Sequence, residues 1–317
     1  MQKLLLVGLG TIADAHLSAL QHIDGVDVLG GVDIAPPPSL LFRGRDIPLY
    51  KSLGEAAAAG HDPDVVVVAT PTPTHASVCR EAAETFPSAE LLVEKPAADD
   101  HADATALLRS TDDGRGVNVA YHMAYSPEVL WGERLVRSMS AVLGRPITVK
   151  AVFSDPYESQ IGSAAARFGS SWIDSGINAL SVLSRFVEPV SRRSLRRLGA
   201  AAWSCYEGRF VCRSHTGNAD LEATIATSWH VTAPSRSTRI TYSSGAELVL
   251  DHHAVAGYLL QDGAVQEFFG SDGRVPRRES HYRNLYQTYL AERRPIMGKE
   301  LSRRLHDLLL CPDGYPS

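Results

Sequence analysis

The sequence predicts an α/β protein of two domains, a doubly wound parallel sheet in residues 1–121 and an α+β domain with a large, mostly antiparallel open sheet in residues 122–317. The chain is longer than one ordinary hydrophobic core organises. In its first third, strand and helix patterns alternate, which is typical of parallel sheets with helical crossovers. After that, several segments alternate apolar and polar residues, which is typical of antiparallel strands with one covered face.

The chain begins with an apolar strand that breaks into a glycine-rich turn. Residues 4–15 read LLLVGLGTIADA, in which Gly8 permits a tight turn and Gly10 lets the backbone approach a ligand closely. The small side chain of Ala13 allows the following helix to pack on the sheet. The start of that helix offers free N–H groups and a partial positive charge to a pyrophosphate. This segment therefore predicts a dinucleotide-binding βαβ unit, the first part of a Rossmann domain.

An acidic residue ends the second predicted strand. Asp33 closes residues 26–33, VDVLGGVD, about 20 residues beyond the glycine motif, where a carboxylate accepts hydrogen bonds from the adenosine ribose. Because a carboxylate repels a 2′-phosphate, Asp33 favours NAD over NADP as the cofactor. Arg43 and Arg45 follow. One of them can approach such a phosphate, but the favoured interpretation is a solvated loop behind the three prolines at 36–38.

The remaining elements follow the two patterns. In the first domain we predict strands at 65–69, 91–93 and 117–121 and helices at 75–86 and 102–110. In the second we predict helices at 127–140, 171–186 and 282–292 and strands at 146–154, 195–203, 221–229, 237–242, 246–250 and 255–260. Short turns separate the later strands.

Composition excludes several classes of protein. A formal net charge of −5 argues against nucleic acid as a partner. No run of about 20 apolar residues predicts a membrane span, and no leader pattern precedes the first strand. The four cysteines show no metal spacing and no paired framework, so we expect reduced thiols, no metal and a cytoplasmic location. They are Cys79, Cys205, Cys212 and Cys311.

Three further segments resemble one family of proteins. Residues 69–75 read ATPTPTH, residues 93–96 read VEKP, and residues 172–180 read WIDSGINAL. With the glycine turn, they resemble the glucose–fructose oxidoreductase and inositol dehydrogenase (Gfo/Idh/MocA) family of NAD(P)-dependent sugar and cyclitol oxidoreductases. The resemblance covers nearly the whole chain, and the Glu-Lys-Pro sequence after a Rossmann strand is its most specific part.

The chain also departs from the family pattern. One helical turn after Asp174, where the family commonly has a histidine assigned to acid/base work, this sequence has Asn178. In this stretch it resembles most the D-galactose and L-arabinose 1-dehydrogenases, and the pair Tyr121-His122 resembles an aromatic-histidine pair of that branch. The same substitution can equally mark a subgroup with another substrate.

Lys95 is the candidate acid/base group. Oxidation of a carbinol needs a hydride acceptor and a base for the hydroxyl proton. Lys95 follows a predicted parallel strand at its carboxyl end, where open α/β sheets bind ligands, so its amine can polarise the reacting oxygen and relay the proton. The alternative is a surface lysine. We expect Glu94 to orient the loop or to bind ribose hydroxyls, and Pro96 to fix the turn.

The second domain supplies candidate substrate contacts. Asp174 and Asn178 are four residues apart and share one face of a helix, where Asp174 can bind substrate hydroxyls and Asn178 can form one hydrogen bond without taking a proton. The alternative is that Ser175 or Asp174 only caps the helix. His122 can bind the sugar or act as a base, or be structural. Tyr125 and Trp172 can stack on a sugar ring or belong to the core.

These motifs and the resemblance together give the expected sites. Expected cofactor contacts are Gly8, Gly10, Thr11, Ile12, Ala13, Asp33, Thr70, Pro71, Thr72, His75, Glu94 and Lys95. The expected catalytic residues are Lys95, His122, Asp174 and Asn178, and the expected substrate contacts are these four with Tyr125 and Trp172.

The expected function follows from the same residues. It is hydride transfer between a sugar or cyclitol and NAD, as an aldose 1-dehydrogenase. The alternatives are a ketoreductase or imine reductase for a modified sugar in a biosynthetic pathway, and a non-catalytic cofactor-binding regulator. We also expect a homodimer or homotetramer, because symmetric assemblies are common and the later sheet has a second face to cover.

Overall fold

A computed structural model describes residues 1–109, 117–199, 204–215 and 219–311. The chain divides into two compact units. The first comprises Met1–Tyr121 with Arg278–Arg303, and the second comprises His122–Arg277 with the residues from Arg304 onward. Each unit is described by itself below.

The first unit contains an alternation of strands and helices up to residue 120. These are β1 Gln2–Val7, α1 Thr11–Leu20, β2 Val26–Val32, β3 Leu41–Phe42, β4 Arg45–Asp46, β5 Leu49–Tyr50, α2 Leu53–Ala58, β6 Val65–Val68, α3 His75–Thr85, β7 Glu90–Glu94, α4 His101–Leu108 and β8 Val117–Ala120. Six strands form one parallel sheet in the order β5-β2-β1-β6-β7-β8, while β3 and β4 form a short antiparallel pair. The predicted doubly wound parallel sheet is confirmed.

Burial explains why the sequence predicted the strand β6. Its four valines are all buried, as are Leu4 and Leu5 of the neighbouring strand β1. Strands covered on both faces need apolar side chains on both, which gives a continuous apolar run instead of an alternating one. The two-residue strands β3, β4 and β5 carry no such signal, and the sequence analysis missed them.

The second unit is built around an eight-stranded sheet. Its elements are α5 Pro127–Ser138, α6 Ser140–Leu143, β9 Pro146–Ser154, α7 Ile161–Phe168, α8 Ile177–Leu183, β10 Val187–Arg197, β11 Cys205–Ser214, β12 Asp220–Ser228, β13 Ser235–Tyr242, β14 Glu247–Asp251, β15 Ala256–Gln261 and β16 Ala264–Gly270. The strand order is β10-β11-β12-β9-β13-β14-β15-β16, with β9 and β12 parallel and the other described pairs antiparallel. The predicted large, mostly antiparallel sheet is confirmed.

Several boundaries differ from the predicted ones. A strand predicted at 195–203 instead covers Val187–Arg197, and residues 200–203 lie outside the described part of the chain. The strands β11 and β16 were not predicted. Most of β16 is exposed, so it lacks the alternating burial that marks a strand in the sequence. The helix predicted at 171–186 begins with a π-helical turn, Trp172–Gly176, before α8.

Residues 278–303 group with the first compact unit. The helix α9, Arg277–Tyr286, and the π-helical turn after it, Gln287–Ala291, bury three tyrosines in the first unit, although the sequence assigns this stretch to the second domain. The last helix, α10, Lys299–Leu310, crosses the boundary between the units. Amphipathic spacing predicts that a helix buries one face, but not which sheet it covers. Among the described helices, none combines the length and the hydropathy of a membrane span.

In the second unit, Trp172 packs on strand β11 at the position of a glycine, Gly208. The ring of Trp172 is buried and stacked on Phe210, with centroids 6.0 Å apart, and its Nε1 donates a hydrogen bond of 3.0 Å to the carbonyl of Leu309. A Cβ at Gly208 would lie 2.6 Å from Cη2 of this ring. The absence of a side chain at Gly208 therefore leaves the space that the Trp172 ring occupies, and this packing stabilises the π-helical turn.

We expect Gly208→Ala to lower the free energy of unfolding by about 1–3 kcal/mol, because the added methyl group overpacks the buried tryptophan. Urea denaturation followed by circular dichroism measures this change. Gly162→Ala is the control, because a Cβ there meets nothing within 4 Å and the residue lies in α7. A loss of stability that is equal in the two variants would contradict the packing role of Gly208.

Candidate active site

The glycine turn of the first unit leaves no room for a side chain at its first position. Gly8 has a φ of +90°, and a Cβ there would lie 2.6 Å from the carbonyl carbon of Ala69 and the amide nitrogen of Thr70. The N–H of Gly8 donates to the carbonyl of Val32 at 2.8 Å. The turn is thus held between the ends of β2 and β6.

The start of α1 has the features of an anion site. Gly10 precedes the helix, has no side chain to cap it and is exposed, and a Cβ there would meet nothing within 4 Å. Thr11 is exposed and Ile12 is half-buried, while Ala13 is buried against the sheet. Open space in front of uncapped N–H groups suits the pyrophosphate of a dinucleotide.

Asp33 lies beside this turn with its carboxylate already oriented. Its Oδ2 accepts a hydrogen bond of 2.8 Å from the N–H of Leu9, and its Oδ1 accepts one of 2.9 Å from the N–H of Ala35. Each carboxylate oxygen has a second lone pair, so both can still accept from ribose hydroxyls. The glycine turn and this carboxylate together fit NAD.

The two arginines that follow hold the chain. The guanidinium of Arg43 donates to the carbonyls of Val26, at 2.9 Å, and Ile23, at 2.6 Å, and Arg45 pairs with Asp27. The expected solvated loop is therefore corrected for Arg43, whose donors are bound to backbone carbonyls. Both arginines therefore bind groups of the protein, and these contacts do not indicate a site for a 2′-phosphate.

The loop after β6 is tied to the loop after β7 by a buried histidine. The ring nitrogens of His75 lie 2.8 Å from the carbonyl oxygens of Pro96 and Thr70. Burial lowers the pKa of His75, against the opposite effect of the two carbonyls. Because both nitrogens contact the backbone, we leave His75 out of the proposed cofactor contacts. Thr72 is also buried, whereas Pro71 is exposed and Thr70 is half-buried.

Lys95 follows β7 at the carboxyl edge of the parallel sheet. The residue is half-buried, and the peptide bond that joins it to Pro96 is cis. The preceding Glu94 is buried; its Oε1 accepts a hydrogen bond of 2.5 Å from the hydroxyl of Tyr282, and its Oε2 accepts one of 3.3 Å from the N–H of Lys95. Both carboxylate oxygens bind groups of the protein, which favours orientation of the loop over ribose binding.

His122 begins the second unit in a short 3-10 turn, His122–Tyr125, and is half-buried. Tyr125 of the same turn is buried, with the guanidinium of Arg185 lying 4.4 Å from its ring centroid. Arg185 also donates to the carbonyl of Ala124 at 3.0 Å. Tyr125 is therefore a core residue, as Trp172 is, and we leave both rings out of the proposed substrate site.

Asp174 and Asn178 are both half-buried in the second unit, at the junction of the π-helical turn and α8. The Nδ2 of Asn178 donates to the backbone carbonyl of Asp174 at 3.2 Å, while its Oδ1 is buried and has no hydrogen-bond partner in the described residues. A π-turn shifts the regular backbone pairing, and the amide of Asn178 binds a carbonyl at that point.

A buried carboxylate that the sequence analysis missed anchors this segment. Asp155 accepts a hydrogen bond of 2.9 Å from the hydroxyl of Ser175 and pairs with the guanidinium of Arg236. The hydroxyl of Ser175 is thus engaged with another element. At the start of the π-turn it is the Oγ of Ser170 that accepts from the N–H of Ile173, at 3.2 Å. The helix-capping interpretation is therefore wrong for Ser175. Asp155 carries no signal in the sequence, because its partners lie on distant segments.

The described residues contain no group of three or more histidine, cysteine, aspartate or glutamate side chains that could hold a metal ion.

Asp33, the glycine turn and Lys95 lie at the carboxyl ends of parallel strands in the first unit, where doubly wound folds bind nucleotides. The first unit is a dinucleotide-binding Rossmann domain.

Comparison with known proteins assigns this domain to a family. Residues 2–121 match the model of the Gfo/Idh/MocA oxidoreductase family, described by its NAD-binding Rossmann fold. Over these residues, which are less than half of the chain, the protein is similar to that family of NAD-binding oxidoreductases. The match agrees with the family that the sequence motifs resemble. The match does not show the closer similarity to galactose and arabinose 1-dehydrogenases that residues 172–180 indicate.

Comparison with individual protein sequences found a more weakly similar relative. A 4-carboxy-2-hydroxymuconate-6-semialdehyde dehydrogenase from Sphingobium sp. (strain NBRC 103272 / SYK-6) is 26% identical over 156 residues. The match covers 43% of this chain and 46% of the relative, less than half the length of either.

Solved structures are similar over nearly the whole chain. A myo-inositol dehydrogenase from Corynebacterium glutamicum ATCC 13032 has a TM-score of 0.73 at 17% identity, and the match covers 98% of this chain and 94% of the other. GenD2 from gentamicin A biosynthesis, solved in complex with NAD, has a TM-score of 0.72 at 19% identity over 97% and 92% of the two chains. Identities this low show a shared fold.

We expect the protein to bind NAD(H) at least tenfold more tightly than NADP(H), a difference of about 1.4 kcal/mol, because the Asp33 carboxylate repels a 2′-phosphate. Asp33→Ser should narrow the difference. Calorimetric titration of both cofactors measures it.

Asp27→Ser is the matched control for Asp33→Ser. It removes a carboxylate from the opposite end of β2, where its partner is Arg45, so the preference should not change. Equal or reversed affinities in the unmodified protein would contradict the assignment of Asp33.

Proposed function

We propose that this protein is an NAD-dependent dehydrogenase that transfers a hydride between nicotinamide and a sugar or cyclitol, in particular an aldose 1-dehydrogenase. The observation that carries the proposal is the position of Lys95. It follows a buried strand at the carboxyl edge of the sheet whose other strand ends carry the glycine turn and Asp33. A lysine in that position lies on the ligand-binding edge of a Rossmann domain.

Lys95 is the proposed acid/base group. When bound, NAD supplies the hydride acceptor. As the substrate hydroxyl becomes a carbonyl, its proton passes to the amine of Lys95, and the ammonium group releases it to solvent. In the reverse direction the ammonium group donates the proton to the new hydroxyl. Lysine is suited to this exchange because its amine accepts a proton and its ammonium form donates one.

Three residues of the second unit are proposed to bind the substrate. Asp174 accepts hydrogen bonds from sugar hydroxyls, and His122 binds a hydroxyl or serves as a second base. Asn178 contributes one hydrogen bond and takes no proton, since an amide does not titrate near neutral pH. Its bond to the Asp174 carbonyl also supports a role in holding Asp174 in place.

The specificity for aldoses is supported by residues 172–180, WIDSGINAL, and by Asn178 in place of the common histidine. A screen of aldoses, cyclitols and keto sugars with NAD and NADP, followed by the absorbance of the reduced nicotinamide, tests it. Oxidation of an aldose to its lactone is the expected result. Turnover of keto sugars alone would favour the ketoreductase alternative, and cofactor binding without any turnover would favour the regulator.

We expect Lys95→Met to lower turnover about 10²–10⁴-fold, the usual cost of losing a general acid/base. Binding of NAD should barely change, because the amine addresses the substrate oxygen and not the pyrophosphate. Asn178→Ala should cost less, since it removes a hydrogen bond of about 0.5–1.5 kcal/mol and no proton acceptor. Steady-state rates on the best substrate and calorimetry with NAD measure both effects.

Asn178→His completes the comparison by restoring the residue common in the family. It should shift the pH optimum and leave activity in place. Near-normal turnover of Lys95→Met together with an inactive Asn178→Ala variant would contradict this division of roles.

We also propose that the eight-stranded sheet forms an interface between copies of this chain. Along β9, Ala151 and Phe153 are buried while Lys150 and Val152 are exposed, so the sheet has a second face. Edge strand β16 leaves Phe268 60% exposed. Covering such apolar surface favours a symmetric dimer or tetramer.

Light scattering at micromolar concentration tests this proposal, and we expect at least twice the chain mass of 34.3 kDa. Val152→Lys should shift the assembly toward smaller species, because it introduces a charge on the exposed face. A monomeric mass for the unmodified protein would contradict the proposed interface.

A further inference from the structure

We propose that Ile34 packs on the flat face of the adenine ring of NAD and supplies the affinity of the first unit for the base. The pyrophosphate and the ribose have protein groups assigned to them above, namely the start of α1 and the carboxylate of Asp33, whereas the base has none. This contact requires only that the domain binds NAD, whichever substrate is oxidised.

Ile34 is the most exposed large apolar side chain in the described part of the chain. The residue is 92% exposed. A single exposed apolar residue is ordinary on a protein surface, so exposure by itself identifies no site. Two further properties distinguish Ile34, which are its position next to the ribose-binding carboxylate and the rigid backbone on which it is presented.

The position of Ile34 follows from its neighbour in the chain. Strand β2 ends at Val32, and Asp33 and Ile34 extend beyond its carboxyl end. Adjacent Cα atoms are about 3.8 Å apart, so the two side chains start from the same place. In a nucleotide the base is attached to the ribose carbon next to the one that carries the 2′-hydroxyl. A ribose whose hydroxyls donate to Asp33 therefore brings its base beside residue 34.

The backbone around Ile34 is fixed before any ligand binds. The N–H of Asp33 donates to the carbonyl of Tyr50 at 3.0 Å, which holds the strand end against β5. Its Oδ1 accepts from the N–H of Ala35 at 2.9 Å, so Ile34 is the middle residue of an Asx turn. Ala35 precedes Pro36, which restricts it to extended conformations. The side chain can thus contact a ligand without the cost of ordering its loop.

The chemistry of isoleucine determines which part of the base it contacts. Its side chain has no hydrogen-bond donor or acceptor, so it cannot recognise the polar groups at the edge of a purine. It gains instead from dispersion contacts with the ring face and from removal of its own apolar surface from water. We therefore assign Ile34 to affinity for a flat purine ring, and not to discrimination between purines.

Calorimetric titration of the full chain with NAD tests this assignment. In Ile34→Ser we expect about tenfold weaker binding, because the apolar contact with one face of the ring is lost. Ile34→Leu keeps an apolar side chain of the same volume and should stay within about twofold of the unmodified protein. Nicotinamide mononucleotide lacks the adenosine half of NAD and should bind equally to all three proteins.

Two analogues of NAD separate the face of the ring from its edge. The hypoxanthine analogue differs from NAD at the edge of the base, so Ile34→Ser should weaken its binding by the same factor. The ethenoadenine analogue is fluorescent, and acrylamide quenches it on collision. When it is bound to Ile34→Ser, its fluorescence should be quenched more strongly than when it is bound to the unmodified protein, because one face of the ring is uncovered.

Leu41→Ser is the matched control in the same unit. Leu41 is 57% exposed and begins the β3–β4 pair, which Arg43 connects to the carbonyl of Val26 at the other end of β2. Its replacement should leave the affinity for NAD unchanged. Since both side chains are exposed, neither Ile34→Ser nor Leu41→Ser should move the midpoint of urea unfolding.

Unchanged affinity for NAD in Ile34→Ser would overturn the proposal. An equal loss of affinity for nicotinamide mononucleotide would also overturn it, since the effect would then lie outside the base, and so would an equal loss in Leu41→Ser. A smaller effect on the hypoxanthine analogue than on NAD would contradict the contact with the ring face. Failure of the proposed dehydrogenase is recognised separately, by normal turnover of Lys95→Met, because these binding measurements need no substrate.

Discussion

The first unit depends on one buried carboxylate. Glu94 ends a parallel strand whose preceding residues are buried, so its charge must be balanced within the fold. Its Oε1 lies 3.1 Å from Nε2 of His16 on the first helix and accepts a hydrogen bond from Tyr282 on α9, which connects a segment nearly 190 residues away to the Rossmann sheet. Removal of one donor from such a buried group usually costs about 1–3 kcal/mol, because the acceptor that remains is unsatisfied.

The second unit shows a comparable dependence on buried polar contacts. The π-helical turn that carries Asp174 is held from one side by Ser175 and Asp155, and from the other by Trp172 over Gly208. Helix α5 carries a second buried network, in which Oε1 of Glu128 lies 2.8 Å from Nδ1 of His252 and both residues are fully buried. Such networks favour one arrangement of the chain, because most displacements leave a buried polar group unpaired.

Most of the first unit's architecture could be predicted from the sequence because its signals are local. The glycine turn, Asp33 and the valine run of β6 each reflect a constraint within one strand or one turn. Predictions were weakest where a residue type fits two environments. Trp172 and Tyr125 suit a sugar or a core, and only their burial and contacts assign them to the core. The strand β16 was missed because its exposure removes the alternation that marks other strands.

The sequence by itself therefore determined the fold class, the NAD-binding turn and the position of Lys95 after a parallel strand, since short-range sterics and burial periodicity encode all three. Only the tertiary structure decided which unit residues 278–303 join and which partners hold Glu94 and Asp155. These outcomes depend on contacts between segments far apart in the chain, such as His16 with Tyr286, and no local pattern specifies which partner a buried polar side chain meets.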